Sequence, residues 1–370
     1  MGPVRPGPRV GSDPTVSHPL IDWNLAERVA VRVGGREPFS TSYHYGGLDP
    51  DFERFTAQAE ELVGIETGLR SLSGPARGRV TTRAGWIRAN ISSFQRLLKP
   101  MTDRFEGRVG GPMAPAMRRF AGAEVGTLLG WMSTRVLGQY DLLVIEDDNP
   151  DDQDIVYYVG PNVLGLEKKH GFPPDEFRLW LALHEVTHRA QFTGIPWMRP
   201  HFLSLVQQTM SLSDPDPGRL LHAVGRVTES VRGGRNPLDD GGLAAVFASP
   251  EQKAVLDQIG GLMSLLEGHG DVTMDRAGKD HVPSAGRFGA VLRNRRAAAR
   301  GLSRVLQSLI GIEAKLLQYQ AGEEFIETVE EHGGSALIDR AWEQPENLPS
   351  MDEIRDPAAW IERVGVRPAA

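Results

Sequence analysis

The chain has 370 residues, 40% hydrophobic and 24% charged, with 42 Gly and 26 Pro spread without a period; collagen-like and wholly disordered chains are excluded and a sizeable core is possible. Lys plus Arg number 41 against 48 Asp plus Glu, a formal charge of −7, which argues against a dedicated nucleic-acid binder. Cysteine is absent, removing disulfides, Cys-ligated zinc, iron–sulfur clusters and thiol nucleophiles, so any metal must be held by His, Asp or Glu.

Residues 1 to about 16, rich in Pro and Gly, read as a disordered tail, and residues 17–366 as one domain with possible sub-lobes 17–170 and 171–366. No stretch has the apolar length of a membrane span, and the N-terminus lacks the apolar core of a secretory signal, so the expectation is a cytoplasmic protein with no membrane partner. From Trp23 the pattern is helical. Apolar residues recur at three- and four-residue steps over Pro50–Leu69, Thr82–Leu98, Ala114–Leu137 and Pro174–Phe192. Two β-rich runs, Asp141–Glu146 and Ile155–Val159, flank the acidic segment Asp147–Asp154 and predict a small hairpin. Helical pattern resumes over Arg199–Leu212, Pro217–Val231, Pro250–Leu266, Arg287–Gly311, Glu313–Ala321, Glu323–Glu331 and Met351–Val364. The fold class expected is therefore mainly α with a small β hairpin or sheet. There is no fixed-period repeat, P-loop, dinucleotide glycine fingerprint or G-x-S-x-G elbow.

One helical stretch carries chemistry. Within Phe177–Phe192 lies His184-Glu185-Val186-Thr187-His188, an H-E-x-x-H. Residues four apart on a helix stack one turn above the other, so both imidazoles can reach one ion. Phe177, Leu181, His184, His188 and Gln191 form a single stripe, which places the histidines where a plain helix puts core residues. Glu185 lies about 100° around the helix, close enough to act as general base toward a water at the ion without ligating. With 10 His in the chain, random placement gives about 0.02 such motifs. The bland alternative is a pair of satisfied core histidines.

A catalytic zinc site takes three protein ligands and leaves one position open. The extended motif with a third His is excluded, because Gly194 stands where that His belongs and Gln191 replaces the expected Gly. The best remaining cluster is Glu267-Gly268-His269-Gly270-Asp271. Glu267 and Asp271 share a helical face, which favours Glu267 as ligand and Asp271 as acceptor for the Nδ1 proton of a ligating histidine. His269 points roughly opposite and is the alternative ligand; the two glycines weaken the helix and with it the facial argument.

These residues resemble the gluzincin branch of the zincin metallopeptidases, in which H-E-x-x-H is completed by E-x-x-x-D on a later helix: here His184, Glu185, His188, Glu267 and Asp271. More closely, His184–Phe192, Glu267–Asp275, Lys315–Phe325 and Trp342–Pro349 are similar to a largely actinobacterial family of zinc-dependent metalloproteases, sometimes associated with biosynthesis of a deazaflavin coenzyme. The similarity runs from about Trp23 to Val364. It implies a zincin-like, mainly helical hydrolase with Zn2+ as cofactor. It also implies a downstream Tyr or His donating to the oxyanion, for which Tyr319, His281 and Tyr158 are candidates by chemistry alone.

The expected reaction is hydrolysis of a peptide or similar amide, with a catalytically silent metal-binding scaffold and an amide hydrolase of a small metabolite as alternatives. Arg293, Arg295, Arg296 and Arg300 read as a solvated helix face on an acidic protein, Trp180 as core, and His170, His201 and His222 as structural or exposed.

Overall fold

The structure, a computed structural model, describes residues 20–105, 113–140, 142, 154–211, 250–297 and 312–365. The expected tail and the expected helix over Pro217–Val231 lie outside the described residues, as do His222 and most of the acidic segment. Asp22 accepts from the Leu25 amide at 2.9 Å and so starts α1 (Trp23–Gly34) by satisfying one of its orphan donors. α2 (Tyr43–Gly46), α3 (Leu48–Thr67), α4 (Arg83–Phe105) and α5 (Ala114–Ser133) follow, then α6 (Gly160–His170), α7 (Pro174–Gly194) and α8 (Met198–Ser211). The later helices are α9 (Pro250–Gly278), α10 (Ala285–Ala297), α11 (Ile312–Gly333), α12 (Ser335–Ile338), α13 (Met351–Arg355) and α14 (Pro357–Gly365).

Several of these differ from the expected elements, and α6 is an addition to them. α9 continues well past Leu266, through both glycines, because packing against neighbouring helices outweighs their weak propensity. α11 runs unbroken through Gly322. The expected Met351–Val364 helix is two, since Pro357 cannot continue α13 and instead opens α14.

The β element is a three-stranded sheet, not a lone hairpin, with β1 (Arg77–Thr81), β2 (Gly138–Tyr140) and β3 (Ile155–Val159) in the order β1-β3-β2. β1 pairs parallel to β3 with Arg77 opposite Ile155, and β2 pairs antiparallel with Gly138 opposite Tyr158. Central β3 buries Ile155, Val156, Tyr158 and Val159, as a strand covered on both faces must. β2 at Gly138–Tyr140 lies just ahead of Asp141–Glu146, the first strand of the expected hairpin, and all of that range except Leu142 lies outside the described residues.

α7 is the axle of the fold, packing on α3, α9, α8 and the sheet. Its buried residues include Phe177, Leu179, Leu181, Leu183, Val186, Ala190 and Phe192, so it is enclosed nearly all round. Trp180 belongs to this core: it packs in an aromatic cluster with Phe177 and Phe288. Two arginines anchor α7 to the layers around it. Arg178 is bidentate on Glu167 of α6, at 2.8 and 2.9 Å, and pairs with Asp51 of α3. Arg189, with 1% of its side chain exposed, pairs with Glu60 of α3 at 2.7 Å and Asp154 at 2.6 Å. Among the described residues no helix is long and apolar enough to cross a membrane.

Candidate metal centre

α7 and α9 lie against each other, and this contact brings Glu267 to the two histidines. His184 Nε2 and His188 Nε2 are 3.2 Å apart, and Glu267 Oε2 is 3.8 and 3.7 Å from them. Ligand atoms held at zinc bond lengths in a tetrahedron stand about 3.3 Å apart, so the triangle has the right size for one ion. Among the described residues, these three form the group whose donor atoms could hold a metal, all within 4.8 Å of one another. Electrostatics agree. Burial opposes charging of His188, yet Glu267, Glu185, Gln191 and Asp271 outweigh it and hold its pKa above the ordinary histidine value. A histidine that gathers a proton against its own burial marks a site short of positive charge, which is what a divalent cation supplies.

The three donor side chains are supported from behind. Asp271 Oδ1 lies 3.5 Å from His184 Nδ1, one turn on from Glu267. Gln191 Oε1 lies 3.0 Å from His188 Nδ1, so each imidazole has an oxygen behind it. Gly270 lies against both rings: a Cβ there would stand 3.2 Å from His188 Cε1 and 3.5 Å from His184 Cε1, so a side chain at this position would press the His188 ring by a few tenths of an ångström. Gly268 faces Gly322 of α11, where a Cβ would strike the Gly322 carbonyl group. That crossing brings Glu323 onto Asp271 in a hydrogen-bonded carboxyl pair, and burial together with Asp271 pushes Glu323 up to about 7. His269 is not in the donor group but sits one residue behind it, joined to His188 through the Gln191 amide on α7. It is buried, with Nδ1 on Gln191 Nε2 at 2.9 Å and its ring edge-on to Trp342, and burial lowers its pKa to about 4.

Glu185 is buried beneath the edge strand β2. The Tyr140 amide donates to its Oε2 at 3.1 Å, and burial, with Glu267, raises its pKa to about 7 against the opposing pull of His188 and Tyr140. A carboxyl poised there can take up and release a proton at neutral pH. A Cβ on Gly138 would come within 2.6 Å of Glu185 Cγ and 2.7 Å of Oε1. Gly138→Ala is therefore expected to displace this carboxylate and lower turnover about 100-fold while zinc content, measured by atomic emission, stays at the wild-type level.

Of the oxyanion candidates, Tyr158 is unsuitable. It is fully buried, its hydroxyl bonds Thr56 Oγ1 at 2.9 Å and its ring stacks on Phe52. His281 is exposed in the turn after α9. The side chain of Tyr319 lies outside the described residues, as do those of Arg295, Arg296 and Arg300, whereas Arg293 is exposed. His170 stacks on Phe172 and His201 packs edge-on to Trp197.

The roles of Gln191, Glu323, Tyr140 and Gly138 go beyond what sequence reasoning assigned. Gln191 alone left a signal, by continuing the histidine stripe.

The sequence matches the profile of the zincin-like metallopeptidases over residues 21–361; the chain belongs to that family, which carries a metal, typically zinc. A solved structure from Chloroflexus aurantiacus, assigned provisionally as a hydrolase and described as having a novel fold, is 30% identical with a TM-score of 0.68, and the match covers 94% of this chain and 100% of that one. No curated protein matches the chain. The mainly helical fold with its small sheet suits the family, and a zinc-type hydrolase is the class that fold and relatives support.

Proposed function

We propose that the chain hydrolyses peptide or closely similar amide bonds, with His184, His188 and Glu267 holding Zn2+, Asp271 orienting His184, and Glu185 as general base. The observation that carries this reading is the convergence of three donor atoms within 4.8 Å beside a buried carboxylate fixed by the Tyr140 amide. A bound zinc ion would supply Lewis acidity, polarising a carbonyl and acidifying water. Glu185 takes the proton of the attacking water and returns it to the departing amine, so one residue serves as base and then as acid. The Tyr140 N–H holds Oε2 of that carboxylate, which fixes its orientation through both transfers. Asp271 favours the His184 tautomer that leaves Nε2 free to ligate.

Metal analysis of the purified chain, followed by digestion of a broad peptide library, tests the reading. Bound zinc is expected, with cleavage that a chelator abolishes and added zinc restores. Bound zinc with no cleavage of any peptide would replace the peptidase reading by a silent scaffold or a small-amide hydrolase, and a panel of acylated amines separates those two.

A further inference from the structure

The amide of Gln191 is the junction of three groups on two helices. Its Oε1 is 3.0 Å from His188 Nδ1, and its Nε2 is 3.1 Å from the Leu266 carbonyl oxygen and 2.9 Å from His269 Nδ1. A main-chain carbonyl can only accept. The amide atom facing Leu266 must therefore be the NH2, and the atom facing His188 must be the oxygen; the flip ambiguity of a glutamine is removed by chemistry. An amide oxygen also only accepts, so His188 carries its ring proton on Nδ1. In the neutral ring its Nε2, which faces His184 and Glu267, then presents a lone pair. The same NH2 obliges His269 Nδ1 to accept, placing that ring's proton on Nε2.

We infer that Gln191 is a positioning residue which sets the ligating tautomer of His188 by relaying the polarity of the Leu266 carbonyl on α9, the helix that also supplies Glu267. This rests on the proposed role of His188 as a ligand. It gives His188 a support of a different kind from that of His184: a neutral amide fixed by a backbone dipole in place of a carboxylate. It also makes the tautomer depend on contact between α7 and α9, because the orienting carbonyl belongs to the partner helix. Gln191 is fully buried, so water does not substitute freely for its oxygen.

The test uses the full chain with Gln191→Met, Gln191→Glu and His188→Ala, read by zinc competition against a chromophoric chelator and by long-range 1H–15N NMR of the metal-free histidines at alkaline pH. Gln191→Met is expected to weaken zinc binding about 10- to 100-fold and to release His188 from the Nδ1–H tautomer. Gln191→Glu keeps an oxygen opposite His188 Nδ1, so His188 keeps its proton on Nδ1 and zinc affinity recovers most of the loss, while the second carboxyl oxygen, which faces the Leu266 carbonyl, bonds it only when it carries a proton. A Gln191→Met variant with wild-type affinity, or with weaker binding but an unchanged His188 tautomer, overturns the inference, as does a Gln191→Glu variant that fails to restore the tautomer. Thermal unfolding of the metal-free variants separates misfolding from altered ligation, and the rescue arm keeps the inference testable if Gln191→Met folds poorly. Wild-type affinity in His188→Ala would instead overturn the ligand assignment beneath it.

Discussion

Glu185→Gln is expected to bind zinc as the wild type does and to lose turnover by about 10²- to 10⁴-fold, the usual worth of a positioned proton carrier. The amide has nearly the shape of the carboxyl, so it opens no cavity beneath Gly138, whose Cα side lies against Glu185. Its oxygen can still accept from the Tyr140 amide, as Oε2 does at 3.1 Å. What it loses is the capacity to hold a proton taken from water. Zinc content and turnover on a cleaved library peptide, measured together, decide the matter; undiminished turnover removes Glu185 as the base.

The same variant carries a stability signature in the metal-free protein. Burial raises the Glu185 pKa to about 7, above its unfolded value, so the folded state binds a proton the unfolded chain releases. The wild type therefore loses stability as pH rises from the ordinary carboxylate value to about 7, and the loss levels off beyond that. Glutamine does not titrate. The melting temperature of Glu185→Gln relative to wild type is expected to rise across that window, and a constant difference would contradict the burial argument.

Arg189→Met is expected to cost about 3–5 kcal/mol, the usual effect of stranding the partners of a buried charge. Arg189 Nε and Nη2 grip both oxygens of Asp154, Nη1 reaches Glu60, and Nη2 also donates to the Gly74 carbonyl at 2.7 Å. Glu60 in turn accepts from the Ala76 amide at 2.9 Å, just before β1. Asp154, just before β3, has a positive φ of 53°, a region unfavourable for a side chain with a Cβ. One guanidinium thus holds the entries of two strands against α7. Methionine fills the volume without donating a single bond. Since whole domains are stable by about 5–15 kcal/mol, urea unfolding should show a large shift in midpoint. A loss below about 1 kcal/mol would mean that the ion pairs are exchangeable with water.

The parts of the site that follow helical periodicity were legible in the amino-acid order. His184 and His188, and Glu267 with Asp271, are i, i+4 pairs, and that spacing alone puts each pair on one face. Periodicity is silent about which helices meet. Glu323 reaches Asp271 only because α9 and α11 cross at Gly268 and Gly322, a contact between distant segments. The glycines of α9 read locally as weaknesses, whereas in the fold they admit other backbones and ring edges. β1 went unseen because Arg77-Gly78-Arg79-Val80-Thr81 shows no apolar alternation, and its strand character comes from pairing with β3.

The Gly268–Gly322 crossing sits one residue from Glu267. Two main chains touch there without any intervening side chain, and a Cβ at either glycine would strike the other helix's backbone. A methyl at either position would wedge the helices apart and tilt α9 about the seam, carrying its carboxylate away from the imidazoles. Whether the Glu267 carboxylate stays beside the two imidazoles thus depends on two hydrogen atoms in a helix–helix joint.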